Sequence, residues 1–489
     1  MGFPRYSPKP AIHLLLCGSL WAGAPGFASE PHCQVIPDLP GGAVQPGAVH
    51  TGAVQAGAVQ PGAVQTGTDQ NAASLCEIDF SSDSVAVCPK TWSTSPAALI
   101  YDLQGTQWAE NARGFEAQVC PMGRKARGQA GAELAVFKHS MNGRETSATY
   151  APASLLYPAL ARWLGMRIHI PVAAMQEFPR QWYLQRVAQH GKALTEGKSS
   201  VRMLHAAWQA TVATLSQPDN STMAAEMLTA DGESLWGVNL LFTGKRYGPE
   251  VNGTRASGWG KGQNRDFQKT APYLLLRENQ SLAEATIAAI THARKDPAMA
   301  NDLPAAISHR QVQWWASEII EIVLLDYLLG QQDRIGNIDY QWRWFWVDGG
   351  RVESRASSSS QPPEDLAKLE PVRLKATWLN DNDAGVRSGY ANFARLTTML
   401  DGFRRFDPAL YMRVQELAED FREQGQVYQA ISKDYRIRSK ELASIAQRLA
   451  EIESVLTVAC RNDALRWDMN PMTIIGGAAE NPVDIDCDT

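Results

Sequence analysis

The chain reads as an α+β protein in which a small strand-rich part precedes a larger helical one. Two patterns predict that order. Between Val85 and Ser140 the runs VAVCP, AALIYDL, GFEAQVC and ELAVFKHS are short, apolar and interrupted by Gly and polar residues, as strands are. Beyond Val201 apolar residues recur at three and four positions, as on helices; from Ile437 to Val458 they include Leu442, Ile445, Leu449, Ile452 and Leu456. With 489 residues and 44% hydrophobic content, the chain can bury a substantial core and exceeds a single small domain. Its formal net charge of -5 gives no whole-chain sign of a nucleic-acid binder, and no nucleic-acid partner is expected.

Residues 1–28 read as a signal peptide. Arg5 and Lys9 precede an apolar run from Ala11 to Trp21, and Pro25-Gly26-Phe27-Ala28 supplies small residues for cleavage before Ser29. A lipid-attachment site at Cys17 is disfavoured, because Leu14-Leu15-Leu16 lacks the small residue it wants. The run is shorter than the ~20 residues that span a bilayer, and no later segment is long and apolar enough, so an exported chain without a membrane anchor is expected, periplasmic or secreted. Without Cys17, the remaining Cys33, Cys76, Cys88, Cys120, Cys460 and Cys487 are even in number and contain no CxxC, which suits disulfides better than zinc. Their pairing is open.

From Gly42 to Thr66 the units GAVQP, GAVHT, GAVQA, GAVQP and GAVQT repeat. Each carries a Gly and one branched apolar residue, too little to bury a core, so residues 29–75 are expected to be a flexible linker. The folded part is expected from Cys76, with residues 76–180 strand-rich and residues 181–489 helical. A helix is predicted from Ala151 to Leu164, closed by Gly165, then a strand from Met166 to Ile170. Helices are also predicted at Val201 to Leu215 and Leu282 to Arg294. Between them, Gly244 to Lys269 is rich in Gly and basic residues; it reads as a solvated loop, with binding of an anionic group as the alternative.

The chemistry concentrates after a further helix. In EIVLLDYLLGQQDRIGNIDY, from Glu321 to Tyr340, an apolar helical run ends at Gly330, and a polar loop presents Asp333, Arg334 and Asn337 before a strand. One carboxylate held by a rigid helix can accept a hydroxyl proton, and a nearby amide oxygen can help hold Mg2+. The plainer reading is a helix-terminating turn whose Asp333 and Asn337 bond only backbone. The strand IDYQWRWFWV then turns at Asp348-Gly349-Gly350, and Val372 to Leu379 is the returning strand beyond a polar insertion, SSSSQPPEDLAK, expected to be disordered. At its end stands Asn380-Asp381-Asn382-Asp383-Ala384-Gly385. Clustered carboxylates repel unless a cation or donors offset them, so a metal is suggested, with an Asx turn as the alternative. An EF-hand does not fit, because Ala391 falls where its bidentate Glu belongs. Helices are predicted at Tyr390 to Leu400, Pro408 to Glu419, Val427 to Lys433 and Ile437 to Val458, before an irregular tail that a disulfide through Cys487 would tie down.

LLDYLLGQQDRIGN resembles the LDxLxGNxDRxxxN catalytic loop of the atypical kinases, the phosphatidylinositol-kinase-like, HipA-like and secretory-pathway casein kinase families. The end of ELAVFK similarly resembles their nucleotide-phosphate lysine strand, and NDNDAG resembles their DNG metal motif with two residues inserted. The resemblance implies a bilobal protein-kinase-like fold and an ATP-dependent phosphotransferase acting on a hydroxyl; its secretory-pathway branch agrees with the expected signal peptide and makes protein Ser/Thr the first choice of acceptor for an exported enzyme. It assigns nucleotide binding to Lys138, the catalytic role to Asp333, and Mg2+ or Mn2+ binding to Asn337 and Asp381, with Asp383 as a second candidate. Arg334 is expected to brace the loop. Asp348 is excluded as the metal ligand, since it stands at the turn before the returning strand.

The chain also departs from these families. Asn337 stands four positions after Asp333 where five is usual, so either the loop is shorter or Asn337 is not the ligand. The helix after Lys138 carries no glutamate to pair with it, and Glu145 and Glu177 are poorly placed. These departures keep open a degenerate kinase fold that acts as a binding or scaffold protein. Transfer of the nucleotide in place of the phosphoryl group is a further alternative.

Overall fold

The computed structural model describes residues 30–42, 72–241, 245–246, 267–477 and 485–487. The expected signal peptide, the repeats beyond Gly42 and most of the Gly244 to Lys269 segment lie outside the described residues.

The first sheet is antiparallel and six-stranded, in the order β1-β5-β6-β4-β3-β2. Its strands are β1 (His32–Gln34), β2 (Val85–Pro89), β3 (Ala98–Asp102), β4 (Ala132–Lys138), β5 (Ala173–Pro179) and β6 (Ser234–Leu240). Interleaved with them are α1 (Ala72–Cys76), α2 (Ala112–Gln118), α3 (Ala151–Trp163), α4 (Arg180–Tyr183), α5 (Gln189–Thr195), α6 (Arg202–Ser216) and α7 (Ala224–Met227). Strand alternation sorts side chains between the two faces. Val87, Ile100, Ala135 and Phe137 share a core with Trp182, Val187 and Trp208 from α4 to α6. Ala86, Leu99 and Tyr101 instead pack with Phe115 and Val119 around α2. Lys138, in step with Val136, which packs on the α2 side, ends β4 on the face opposite Phe137; Leu134, at the register shift between β3 and β4, packs on the α4 to α6 side.

Several elements differ from the sequence-based expectation. GFEAQVC lies in helix α2, not in a strand: Asn111 Oδ1 accepts from Gly114 N at 2.8 Å and caps it. The same helix turns Glu116 inward, where Arg186 Nη2 donates to it at 2.6 Å. Met166 to Ile170 is not a strand beyond a bridge from His169 to Trp378; the strand is β5. The strand-rich part also runs past residue 180, because β6 sits between β4 and β5. Gly237 makes that register possible, since a Cβ there would stand 2.3 Å from Lys138 O. Residues 30–42, expected within the linker, pack instead. β1 pairs with β5, Leu39 is buried, Tyr435 donates to Pro37 O at 2.9 Å, and Trp163 Nε1 donates to Pro40 O at 2.9 Å.

The helical part contains α8 (Ala271–Leu275), α9 (Leu282–Ala293), α10 (Pro297–Asp302), α11 (His309–Leu329), α12 (Phe393–Leu396), α13 (Pro408–Glu423), α14 (Gln426–Asp434), α15 (Ser439–Arg461) and α16 (Pro471–Gly476). A second sheet joins it, with β7 (Lys245–Arg246), β8 (Ile338–Asp348), β9 (Arg351–Ala356) and β10 (Val372–Leu379). β8 pairs with the other three. Helix α11 is buried along nearly its whole length and closes the free edge of β10 with side chains. Gln311 accepts from Lys375 N at 2.8 Å and donates to its carbonyl at 3.1 Å, while Glu318 accepts from Thr377 N at 2.9 Å. The insertion expected to be disordered folds back: Leu366 is buried, and Arg355 donates to Asp365 at 2.9 Å. The predicted helix from Tyr390 shortens to α12 and a 3-10 turn at Leu400–Gly402.

Three disulfides join Cys33 to Cys76, Cys88 to Cys120 and Cys460 to Cys487. The first joins Cys33 and Cys76 across a sequence separation of 43 residues. Among the described residues no helix is long and apolar enough to cross a membrane.

Candidate active site

Two loops meet where α11 and β10 end. Helix α11 stops at Gly330, whose left-handed backbone (φ 63°) closes the helix with its N–H on the carbonyls of the last turn. A Cβ at this position would stand 2.6 Å from the Arg448 guanidinium. The following loop is stitched to the loop after β10 by backbone and side chain. Gln332 N donates to Ala384 O at 3.1 Å, and Asn380 N donates to Asn337 O at 3.0 Å.

Arg334 braces both loops, as the sequence suggested. Its Nε and Nη2 grip Asp326 of α11 at 2.8 and 3.0 Å. Nη1 donates to Asn380 O at 2.8 Å, and Nη2 also reaches Asn382 Oδ1 at 2.8 Å. Tyr157 of α3 donates to Asp326 Oδ1 at 3.0 Å, which ties the brace to the strand-rich part. All of these groups are buried, and a buried bidentate ion pair holds its geometry when each partner is satisfied.

The structure brings Lys138 to this junction. Its Nζ lies 2.8 Å from Asp381 Oδ1 and 3.1 Å from Asp383 Oδ2, so one ammonium bridges two carboxylates. Burial disfavours the charged amine, yet Asp381 and Asp383 outweigh it and hold the lysine well above its ordinary range. The two acids are not equivalent. The Asp383 side chain is 4% exposed and the Asp381 side chain 37%, and Asp381 adopts a left-handed backbone (φ 51°). Asp383 also accepts at its carbonyl from Tyr150 N at 2.7 Å.

Asp333 completes the cluster. Burial first, then the charges of Asp381 and Asp383, push its carboxyl up to about 7, against the opposing pull of Arg334. Asn337 Nδ2 donates to Asp333 O at 2.8 Å, which fixes the loop and leaves the amide oxygen for another partner. Lys138, Asp333 and Asp381 are thus brought together, Asn337 stands beside Asp333, and Asp383 lies deeper than Asp381. Sequence reasoning ranked Asp383 second because nothing in NDNDAG distinguishes a rim acid from a buried one.

Oxygen donors of this kind suit a hard divalent ion. The shared ammonium marks a point where two carboxylates already converge on one cation. Among the described residues no three His, Cys, Asp or Glu side chains converge as a metal cage. A cavity of about 830 Å³ lies elsewhere, against Tyr150, Glu226, Trp236, Arg436 and Arg438, and includes none of the four clustered residues.

No family model matches the chain, and no curated protein matches its sequence. In structure the chain is similar to the Golgi casein kinase, solved with Mn/ADP bound, at 11% identity and TM-score 0.39, over 77% of this chain and 73% of that one. It is also similar to hydra Fam20, solved with sugar, at 12% identity and TM-score 0.38, over 78% of this chain and 88% of that one.

Proposed function

We propose that the chain is an exported, kinase-like phosphotransferase that moves the γ-phosphoryl group of ATP to a hydroxyl, with protein Ser/Thr as the first acceptor to test. The observation that carries this reading is one buried lysine, Lys138, bridging Asp381 and Asp383 from a distant segment, beside the loop that carries Asp333 and is bonded to the Asp381–Asp383 loop. In the reaction the acceptor oxygen forms a bond to the γ-phosphorus as the bond to the ADP oxygen breaks, and Asp333 takes the hydroxyl proton. A carboxyl at about 7 is poised for that task near neutral pH. Lys138 holds nucleotide phosphates. Asp381, Asp383 and Asn337 would hold Mg2+ or Mn2+, which neutralises phosphate oxygens. Residues 1–28 act as the export signal, and three disulfides suit an oxidising compartment.

The test is incubation of the purified mature protein with labelled ATP, divalent metal and a mixed acceptor panel, beside Asp333→Ala. Metal-dependent label on an acceptor, absent in the variant, is expected. Absence of both label and any ATP–Mn2+ shift of the unfolding midpoint would sink the reading.

A second reading is a degenerate kinase fold that binds nucleotide or a partner without turnover. It is favoured by Lys138, whose charge is consumed by Asp381 and Asp383, and by the lack of a glutamate on α3. A midpoint shift with ATP and Mn2+ but no label on any acceptor would select it.

A further inference from the structure

Glu226 lies outside every motif read from the sequence, yet its carboxylate joins three parts of the molecule. Asn142 Nδ2 donates to Oε2 at 2.8 Å, from the segment just beyond Lys138. Arg387 Nη2 lies 3.0 Å from Oε1, from the segment just beyond Asp383. Arg438 Nη1 donates to Oε1 at 2.7 Å, from the start of α15. The Glu226 side chain is 9% exposed, while its partners Arg387 and Arg438 are 28% and 44% exposed. A parallel bond runs beside it, with Tyr390 Oη donating to Asn142 Oδ1 at 2.5 Å. Arg438 also lies over the Tyr150 ring at 5.6 Å, and Tyr150 is the residue whose N–H meets Asp383 O.

We propose that Glu226 is a positioning residue, a latch that holds the segment after Lys138 in register with the segment after Asp383. This inference rests on the phosphotransferase reading for its kinetic consequence. Without the carboxylate, Arg387 loses this anion while Arg438 keeps Glu441 at 2.7 Å, and the two segments are left with the Tyr390–Asn142 and Tyr150–Asp383 bonds in place of a charged anchor. On this proposal the latch acts through the distance between Lys138 and Asp383.

The test uses the full chain and three variants, Glu226→Gln, Tyr390→Phe and Arg387→Gln, with the Glu226→Gln/Arg387→Gln double variant. In Glu226→Gln, amide exchange in residues 139–150 and in residues 385–392 should rise together, each by about tenfold. A rise confined to residues 222–230 overturns the latch, and this arm needs no activity. For transfer, kcat per nucleotide-bound protein should fall about tenfold with KM for ATP within about twofold. The double variant should lose no more than the worse single variant, because both delete one pair; multiplied losses would mean independent structural damage and reject the positioning role. Tyr390→Phe should loosen the same two segments by a smaller factor. If the wild-type chain transfers no label, the phosphotransferase reading fails, and the exchange arm still decides the latch.

Discussion

Lys138 Nζ and Asp383 Oδ1 are 245 positions apart in the chain and 3.2 Å apart in space. The lysine is the last residue of β4, and the aspartate is held within its reach because the loop after β10 is locked to α11 through Arg334. The amine is thereby the resident counter-ion of an acidic cluster.

Lys138→Met removes the ammonium and leaves Asp381 and Asp383 facing each other and Asp333. Loss of one partner from a buried pair costs about 3 kcal/mol, so the unfolding midpoint of the variant should fall clearly below wild type. Mn2+ should then raise the midpoint of the variant more than that of wild type, since the ion replaces a missing positive charge. A variant as stable as wild type without metal would contradict the counter-ion role.

The pH dependence follows from Asp333, whose carboxyl is pushed up to about 7 from an unfolded value of 3.8. Between those values the folded chain binds a proton that the unfolded chain has released. Stability from this group is therefore full below about 4 and is lost as pH rises through about 7. Asp333→Asn should raise the unfolding midpoint relative to wild type above pH 7 and make little difference at pH 4. Transfer by wild type should rise through about 7 as the base becomes free, and saturating Mn2+ should move that rise to lower pH. A midpoint difference that is constant from pH 4 to pH 8 would refute the assignment.

The sequence made much of this legible for identifiable reasons. The end of α11 was readable because a long apolar helix followed by Gly330 has one stopping point, and Lys138, Asp333 and Asp381 followed from their motifs. The four-residue spacing from Asp333 to Asn337 left the metal amide open, and the Asn337 bond to Asp333 O accounts for a tightened loop. What remained hidden depends on long-range packing. Helix α2 passed for a strand because Glu116 faces Arg186, a partner 70 positions away. β5 was overlooked in AAMQEFP, whose pattern mixes apolar and polar residues on both faces. Glu226 carried no signal at all, since its three partners come from separate segments.

Arg334→Lys tests the brace. Lysine keeps the charge but replaces a planar fork that serves Asp326, Asn380 O and Asn382 at once. At least two of those buried acceptors lose their donor, at about 1–3 kcal/mol each. The midpoint should fall accordingly, and ATP–Mn2+ binding should weaken because the loops carrying Asp333 and Asp381 are no longer held together. Unchanged stability in Arg334→Lys would show that the fork is dispensable.

Asp381 and Asp383 should separate cleanly by mutation, although both contact the same amine. Asp383 is buried, so Asp383→Ala leaves Lys138 in a poorly solvated site with only a rim partner; a loss of about 3 kcal/mol is expected. Asp381 is exposed enough for water to screen its bond, and the exposed-pair range of about 0–1 kcal/mol applies to Asp381→Asn. Asp381→Gly relieves the left-handed backbone in addition and should be at least as stable as Asp381→Asn. Loss of metal-dependent nucleotide binding should nevertheless be comparable in Asp381→Asn and Asp383→Ala, because a shared cation needs both oxygens. Chemical unfolding of the apo variants, followed by ATP–Mn2+ titration, checks the two halves separately. Equal destabilisation by the two substitutions would remove the distinction between rim and buried acid, and retained nucleotide binding in either would remove that residue from the metal site.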